Sequence, residues 1–119
     1  MASKKMTLYA EKQYELKMIK YKIKEEFDKN FLKNIEFKDE IFRDFGETKT
    51  LLLVYENYFF RNGSYASLII MLSENQGKQS ADIIASGGKE ALFSLGAERD
   101  FAKCGVKALK AIGFRENDD

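Results

Sequence analysis

Three apolar runs with turn residues between them dominate the middle of the chain, at residues 50–60, 65–72 and 80–85. The segments that join them, residues 61–64 and 74–78, contain Asn-Gly and Gln-Gly, which suit the tight turns of hairpins. Short β-rich runs joined in this way predict an antiparallel meander. In the first two runs, apolar residues occupy both alternating sets of strand positions. We therefore expect both faces of these strands to be covered, by a helix, a bent sheet or a second subunit.

A helix is predicted from residue 11 to residue 33, where no Gly or Pro interrupts the chain. Apolar residues recur there at spacings of three and four, which is typical of one buried stripe. The residues of this stripe are Leu16, Ile19, Ile23 and Phe27. A second stripe, Tyr14, Met18 and Tyr21, falls on the nearly opposite side. Either these side chains lie partly exposed or under a loop, or they contact another chain in an oligomer.

The cleanest amphipathic pattern predicts a second helix over residues 97–112. Its apolar face contains Ala97, Phe101, Cys104, Gly105, Ala108, Leu109 and Ile112. Gly105 and Ala108 are small, which predicts close approach of this helix to the sheet, since a mid-helix glycine otherwise costs about 1 kcal/mol relative to alanine. Cys104 lies beside them, and we expect a buried, inert thiol.

Other segments are less regular. Residues 6–9 fit either a first strand or the start of a helix, and we favour the strand. Residues 34–38 alternate briefly and predict a strand that runs into a loop over residues 39–46. The 119 residues suit a single domain over 1–119, with residues 1–5 and 114–119 frayed.

Together these elements predict an α+β fold. We expect an antiparallel sheet of four to six strands, with an N-terminal and a C-terminal helix packed mainly on one face. The alternative is a reduced helix-grip fold, in which the sheet curls around the last helix and encloses a small apolar cavity. A continuous pocket in such a cavity would be lined by Leu53, Tyr55, Ile69, Met71, Phe101 and Leu109.

Composition removes much familiar enzyme chemistry. The chain has no histidine and a single cysteine, so it has neither a Ser-His or Cys-His nucleophile nor His- or thiolate-ligated zinc. We therefore expect no enzyme, no metal and no cofactor. The carboxylates Asp39, Glu40, Asp44 and Glu47 read as a solvated loop, and the aromatics Tyr55, Tyr58, Phe59, Phe60 and Tyr65 as packing around a hairpin at Asn62-Gly63.

One segment, Ser86-Gly87-Gly88-Lys89, could turn backbone N–H groups toward an anion, with the lysine assisting. The segment lacks the spacing of a phosphate-binding loop before a helix. A glycine turn or bulge between strands is the favoured interpretation.

Charge argues against nucleic acid as the main partner. Lysines are concentrated in residues 1–33 and on the outer face of the last helix, yet the net charge is only +1. Nucleic acid is therefore expected to bind weakly or not at all. No apolar run is long enough for a membrane helix or a secretory signal, so we expect a cytoplasmic protein without a membrane partner.

Part of the chain resembles a family of small uncharacterised bacterial proteins. The likeness covers about residues 45–113 and rests on three strands and the helix that follows them. Its motifs are Leu53-Val-Tyr-Glu-Asn-Tyr58, the Asn62-Gly63 turn, Ser67-Leu-Ile-Ile-Met-Leu72 and Ala85-Ser-Gly-Gly88. The resemblance implies a bacterial cytoplasmic protein and transfers no active site.

The function predicted from these features is an intracellular, non-enzymatic interaction module that self-associates as a homodimer. The best-placed contact residues are Tyr14, Met18 and Tyr21. Two alternatives belong to other classes: a carrier of a small apolar or amphipathic ligand, and a weak binder of nucleic acid or anions.

Overall fold

Five antiparallel strands and two helices make up the computed structural model, which describes residues 3–30, 34–59, 64–87 and 97–117. The elements are β1 (Ser3–Glu11), α1 (Leu16–Asp28), β2 (Ile35–Asp44), β3 (Thr48–Phe59), β4 (Ser64–Asn75), β5 (Lys78–Gly87) and α2 (Ala97–Ile112). The strand order in the sheet is β1-β5-β4-β3-β2. The meander therefore runs from β2 to β5, and β1 pairs beside its last strand. The predicted α+β fold is confirmed, and residues 6–9 are strand.

Both helices lie on one face of the sheet, as the sequence predicts. Every second residue of β3, β4 and β5 is buried on this helix side. The fully buried large residues of these strands are Leu51, Leu53, Leu68, Ile70, Leu72 and Ile83. They pack with the helices in one cluster, and burial of each such side chain is worth about 1.5–3 kcal/mol. This cluster is the core.

The apolar stripe of α1 is buried as expected, with Leu16, Ile19, Ile23 and Phe27 in the core. The helix is shorter than the predicted span of residues 11–33, because β1 continues to Glu11. The next backbone N–H, that of Lys12, donates to the carbonyl of Gly77 at 2.8 Å, so the chain is tied to the β4–β5 turn before the helix begins.

Helix α2 has the predicted bounds and lies directly on the sheet. A Cβ built on Gly105 would be 3.5 Å from Leu68 Cδ2 and 3.6 Å from Ile83 Cγ2, which leaves no room for a cavity between them. Among the described residues the sheet is open, with α2 against β1, β4 and β5, and is not curled around an enclosed cavity of the helix-grip kind.

The segment after α2 packs against the rest of the fold at Phe114 and Arg115, and the fraying expected for residues 114–119 stays a prediction. Phe114 is buried in the core, and its N–H donates to the carbonyl of Leu109 at 2.9 Å. Arg115 exchanges two backbone hydrogen bonds with Tyr9, at 2.7 and 2.8 Å. At the other end of the chain, Ser3 to Lys5 belong to β1 rather than to a frayed terminus. Residues 1, 2, 118 and 119 lie outside the described part.

The predicted loop over residues 39–46 is wrong, because β2 continues to Asp44. The register of β2 against β3 shifts between Phe37 and Asp39, which marks a β-bulge. The extra residue of a bulge reverses which face of the sheet the following side chains lie on. Phe37 and Phe42 therefore both lie on the helix side, although they are an odd number of residues apart. This reversal explains why no single period fits the segment.

A buried polar cluster joins the β4–β5 turn to the start of α1. The Glu74 carboxylate accepts hydrogen bonds from Gln79 Nε2 at 2.9 Å and from Lys12 Nζ at 3.0 Å. Burial alone raises the pKa of Glu74, but these two hydrogen bonds outweigh it and the net pKa is lowered. Gln79 also donates to the carbonyl of Tyr14 at 2.9 Å. Residues 12–15 are thus held against the hairpin.

We expect Gly105→Ala to raise the free energy of unfolding by up to about 1 kcal/mol, because alanine is the better helix former. The added methyl group would make ordinary van der Waals contacts with Leu68 and Ile83. Gly105→Leu, which has no space at this contact, should instead destabilise the protein. Urea unfolding of the three proteins tests both changes, and a destabilised alanine variant would contradict the prediction.

Candidate functional site

The face of the sheet opposite the helices, here called the bare face, carries an apolar block at its centre. The block consists of Ile41, Leu52, Val54, Ile69, Met71 and Ile84. Its members are cross-strand neighbours: Val54 pairs with Ile69, and Ile69 with Ile84. Ile41 pairs with Leu52, and Leu52 with Met71. Side chains paired in this way touch, so the block is continuous across four strands.

The apolar block remains accessible to solvent. Ile41 is 47% exposed and Ile84 is 40% exposed, and the other four members are half-buried. No described residue that faces this side from β3, β4 or β5 is buried. The contacts that α1 and α2 make with the sheet involve the opposite face, where the core lies. The described residues therefore leave the block without a cover.

Polar groups surround the block. On the β5 side, the Asp82 carboxylate accepts a hydrogen bond of 2.6 Å from the Thr7 hydroxyl, so this acid is satisfied locally. Ser67 and Ser73 of β4 lie on the same face, above and below the block. An apolar centre with a polar rim is the usual anatomy of a protein interface.

One cross-strand row of the bare face ends in opposite charges. It starts at Lys5 on β1, passes through Ile84, Ile69 and Val54, and ends at Asp39 on β2. Lys5 and Asp39 occupy the two edge strands, so the row spans the whole sheet. The row is therefore positive at one edge and negative at the other.

The second stripe predicted on α1 is only partly helical. Met18 and Tyr21 are on α1 and are 50% and 60% exposed. Tyr14 precedes the helix and is half-buried, with Lys22 Nζ 4.3 Å from the centre of its ring. Two side chains thus remain available at this surface, which is smaller than the apolar block.

The residues expected to line a ligand pocket do not share one space. Leu53, Tyr55, Phe101 and Leu109 are buried in the core on the helix side. Ile69 and Met71 belong to the apolar block on the opposite face. These six residues therefore do not line one continuous pocket of the kind that would favour a ligand carrier, because the sheet itself lies between the two groups.

A pocket of about 340 Å³ lies between α1 and β2, beside Phe27, Phe37 and Tyr55. Burial, and secondarily the charge of Glu40, raises the pKa of the Tyr55 phenol. The lysines at this pocket are already paired: Lys20 binds Glu40, and Lys24 Nζ lies 3.2 Å from Asp28 Oδ2. No uncompensated lysine is left there for an acidic ligand.

The other sequence candidates are ordinary parts of the fold where they are described. Ser86 and Gly87 belong to β5 and pair with Ser67 and Ala66. Gly88 and Lys89 lie outside the described residues, so the anion turn stays a prediction. The hairpin at Asn62-Gly63 and the side chains of Phe59 and Phe60 lie outside them too.

Of the remaining aromatics, Tyr58 and Tyr65 face each other on the bare face, with ring centroids 4.8 Å apart. Among the carboxylates, Glu40 binds Lys20 and Asp44 accepts the N–H of Gly46 at 2.8 Å. In the described part of the chain, no group of three or more His, Cys, Asp and Glu residues could hold a metal ion. None of its helices is long and apolar enough to cross a membrane.

Comparison with known proteins places the chain in a family. The model of a family of unknown function, DUF6054, matches residues 1–113. The chain therefore belongs to this family, which extends the likeness expected for residues 45–113 to β1 and α1. No curated protein and no solved structure gives a match.

Cys104 is buried on α2, and its thiol donates to Asn30 Oδ1 at 3.0 Å. Burial raises the pKa of this thiol from 9.0 to about 11, which lowers the thiolate fraction at pH 8 about 100-fold. We expect a thiol reagent to modify the native protein at pH 8 at least about 100-fold more slowly than the denatured protein. The Cys104→Ser variant gives the background rate. Complete labelling of native protein at the denatured rate would contradict an inert thiol.

Proposed function

We propose that this protein is an intracellular, non-enzymatic interaction module that forms a homodimer through the bare face of its sheet. One observation carries the proposal: an apolar block spans the middle of a sheet face on which no described element packs. Large exposed apolar patches with polar rims mark sites of association. The sheet supplies the block, and both helices pack on its other side.

The size of the bare face suits a stable dimer. Five strands spaced about 4.8 Å apart give a width of about 24 Å. Ten residues per strand, the length of β2 and β5, give about 33 Å. The face then offers about 800 Å² per copy, or about 1,600 Å² for two copies, which is a standard interface.

A second copy of the chain fits the charges at the ends of the row. Two sheets packed face to face keep their strands within about 30° of each other. With the two-fold axis along the central strand β4, each β1 faces the β2 of the other copy. Lys5 of each copy then approaches Asp39 of the other, while the apolar blocks meet at the centre. Such an isologous contact is the commonest closed arrangement for soluble oligomers.

A matched pair of Met→Lys changes tests the choice of surface. Met71 lies in the apolar block, and Met18 lies exposed on α1. Met71 pairs across the strands with Asp82, so Met71→Lys would bury a lysine beside a carboxylate, and the cost of removing both charges from water should raise the dimer Kd at least about 10-fold. Met18→Lys should leave the Kd nearly unchanged. Sedimentation velocity across a concentration series measures both.

Circular dichroism and thermal unfolding of each variant show that the fold is retained. A monomeric unmodified protein at high micromolar concentration would overturn self-association. Loss of the dimer in Met18→Lys but not in Met71→Lys would place the contact on the stripe of Tyr14, Met18 and Tyr21.

A charge exchange tests the orientation of the two sheets. Asp39→Lys would bring two lysines together at each rim of the dimer, and we expect a Kd increase of about two- to fivefold, the range of exposed ion pairs. Adding Lys5→Glu to this variant restores opposite charges and should return the Kd toward its original value. Equal and additive weakening by the two changes would contradict an axis along β4.

The alternatives from other classes rank below self-association. The residues that would have favoured a ligand carrier are divided between the two faces of the sheet. Against nucleic acid, the net charge is only +1. Both stay predictions for this chain.

A further inference from the structure

A groove of about 610 Å³ runs between the edge strand β1 and helix α2. Its apolar lining comes from Met6 of β1 and from Ala102 and Val106 of α2. This volume falls in the range of small-molecule sites, about 300–1,000 Å³. The groove lies on the helix side of β1, and Lys5, at its rim, also belongs to the bare face.

Every charged residue that lines the groove from the described part of the chain is basic. Lys4 and Lys5 stand on the β1 side, and the others stand on α2. The α2 residues are Arg99, Lys103, Lys107 and Lys110. Arg99, Lys103 and Lys107 are spaced by four, so they follow one face of the helix, where like charges are mutually unfavourable. A bound anion would relieve this repulsion.

Five of these six cations have no acidic partner among the described side chains. Lys110 Nζ lies 2.8 Å from Glu116 Oε2, whereas the other five form no ion pair with any residue in the described ranges. The lysines of α1, and Lys29 after it, have other contacts: Lys20, Lys24 and Lys29 each pair with an acid, and Lys17 and Lys22 lie over the rings of Phe42 and Tyr14. In a protein of net charge +1, the groove therefore concentrates positive potential at one place.

We propose that this groove binds an anionic amphiphile with a single alkyl chain. The chain lies on Met6, Ala102 and Val106, and the acidic head group lies between the cations of β1 and those of α2. Lysine stems add to the apolar surface while their ammonium groups reach the head group. The apolar floor favours this ligand over a free inorganic anion. Among the described lining residues there is no aromatic side chain to stack a base, which disfavours single-stranded nucleic acid.

The test is isothermal titration of the full-length protein with dodecyl phosphate below its critical micelle concentration. Octyl phosphate should bind more weakly, by up to about fourfold for each missing CH₂ that would reach the floor. Dodecyl maltoside and dodecyltrimethylammonium have the same chain with a neutral or cationic head group, and they should not bind. Inorganic phosphate alone should bind at least about 10-fold more weakly than dodecyl phosphate.

Variants locate the site. We expect the double change Lys103→Gln with Lys107→Gln to weaken dodecyl phosphate binding at least about 10-fold, as the loss of two charged contacts requires. The matched control, Lys24→Gln with Lys29→Gln, removes two charges from α1 and should have no effect. If only the control pair weakened dodecyl phosphate binding, the ligand would be bound at the α1–β2 pocket and the proposal would be overturned.

Three further outcomes would overturn it: no binding of dodecyl phosphate up to millimolar concentration, equal binding of inorganic phosphate, or binding of anionic vesicles or single-stranded RNA without binding of the monomeric amphiphile. Lys5 is common to this groove and to the proposed dimer contact, so Met71→Lys separates the two proposals: it should weaken the dimer and still bind dodecyl phosphate. A dimer without ligand binding, or ligand binding by a monomer, would therefore separate the two.

Discussion

Packing of both helices against the same face of the sheet is the interaction on which the rest of the structure depends. The buried stripe of α1 and the apolar face of α2 meet the inward residues of β3, β4 and β5 in one cluster. Close contact of Gly105 with Leu68 and Ile83 brings α2 onto the central strands. Because both helices pack on one face of the sheet, they do not cover the side chains on the opposite face of the same strands.

The two sides of the molecule consequently offer different chemistry. The bare face is apolar at its centre and has opposite charges at its two edges. The helix side has a core that is already filled, and its accessible surface beside β1 is basic. This division explains how a chain with nearly balanced charge can present both an apolar surface on one side and a cationic groove on the other.

Much of this architecture follows from local sequence patterns. The stripe of α1 and the whole of α2 could be predicted, because a 3.6-residue period depends on neighbouring residues alone. The end of β2 could not, since the bulge after Phe37 exchanges the two alternations and removes the period. The sequence does predict that the first strands of the meander are apolar on both faces.

The partition of residues between the two faces needed the register. Leu53 pairs with Ile70, which places Ile69 on the other side of the sheet from Leu53. That pairing is set by the length of the hairpin connection, and it cannot be predicted from an apolar run in which polar residues do not alternate. The groove was equally hidden, because it forms only when β1 pairs with β5, joining Leu8 to Ala81 across most of the chain.

The edges of the sheet bear on what kind of assembly the bare face can form. On β1, the backbone of Tyr9 is already engaged by Arg115, so an incoming strand would have to displace it. On β2, the bulge and the charged side chains around Lys38 interrupt a regular edge. A sheet whose edge strands cannot pair with further strands does not grow edge to edge into a fibre. In the proposed dimer the helices cover the outer face of each sheet, so no second bare face remains to bind a third copy.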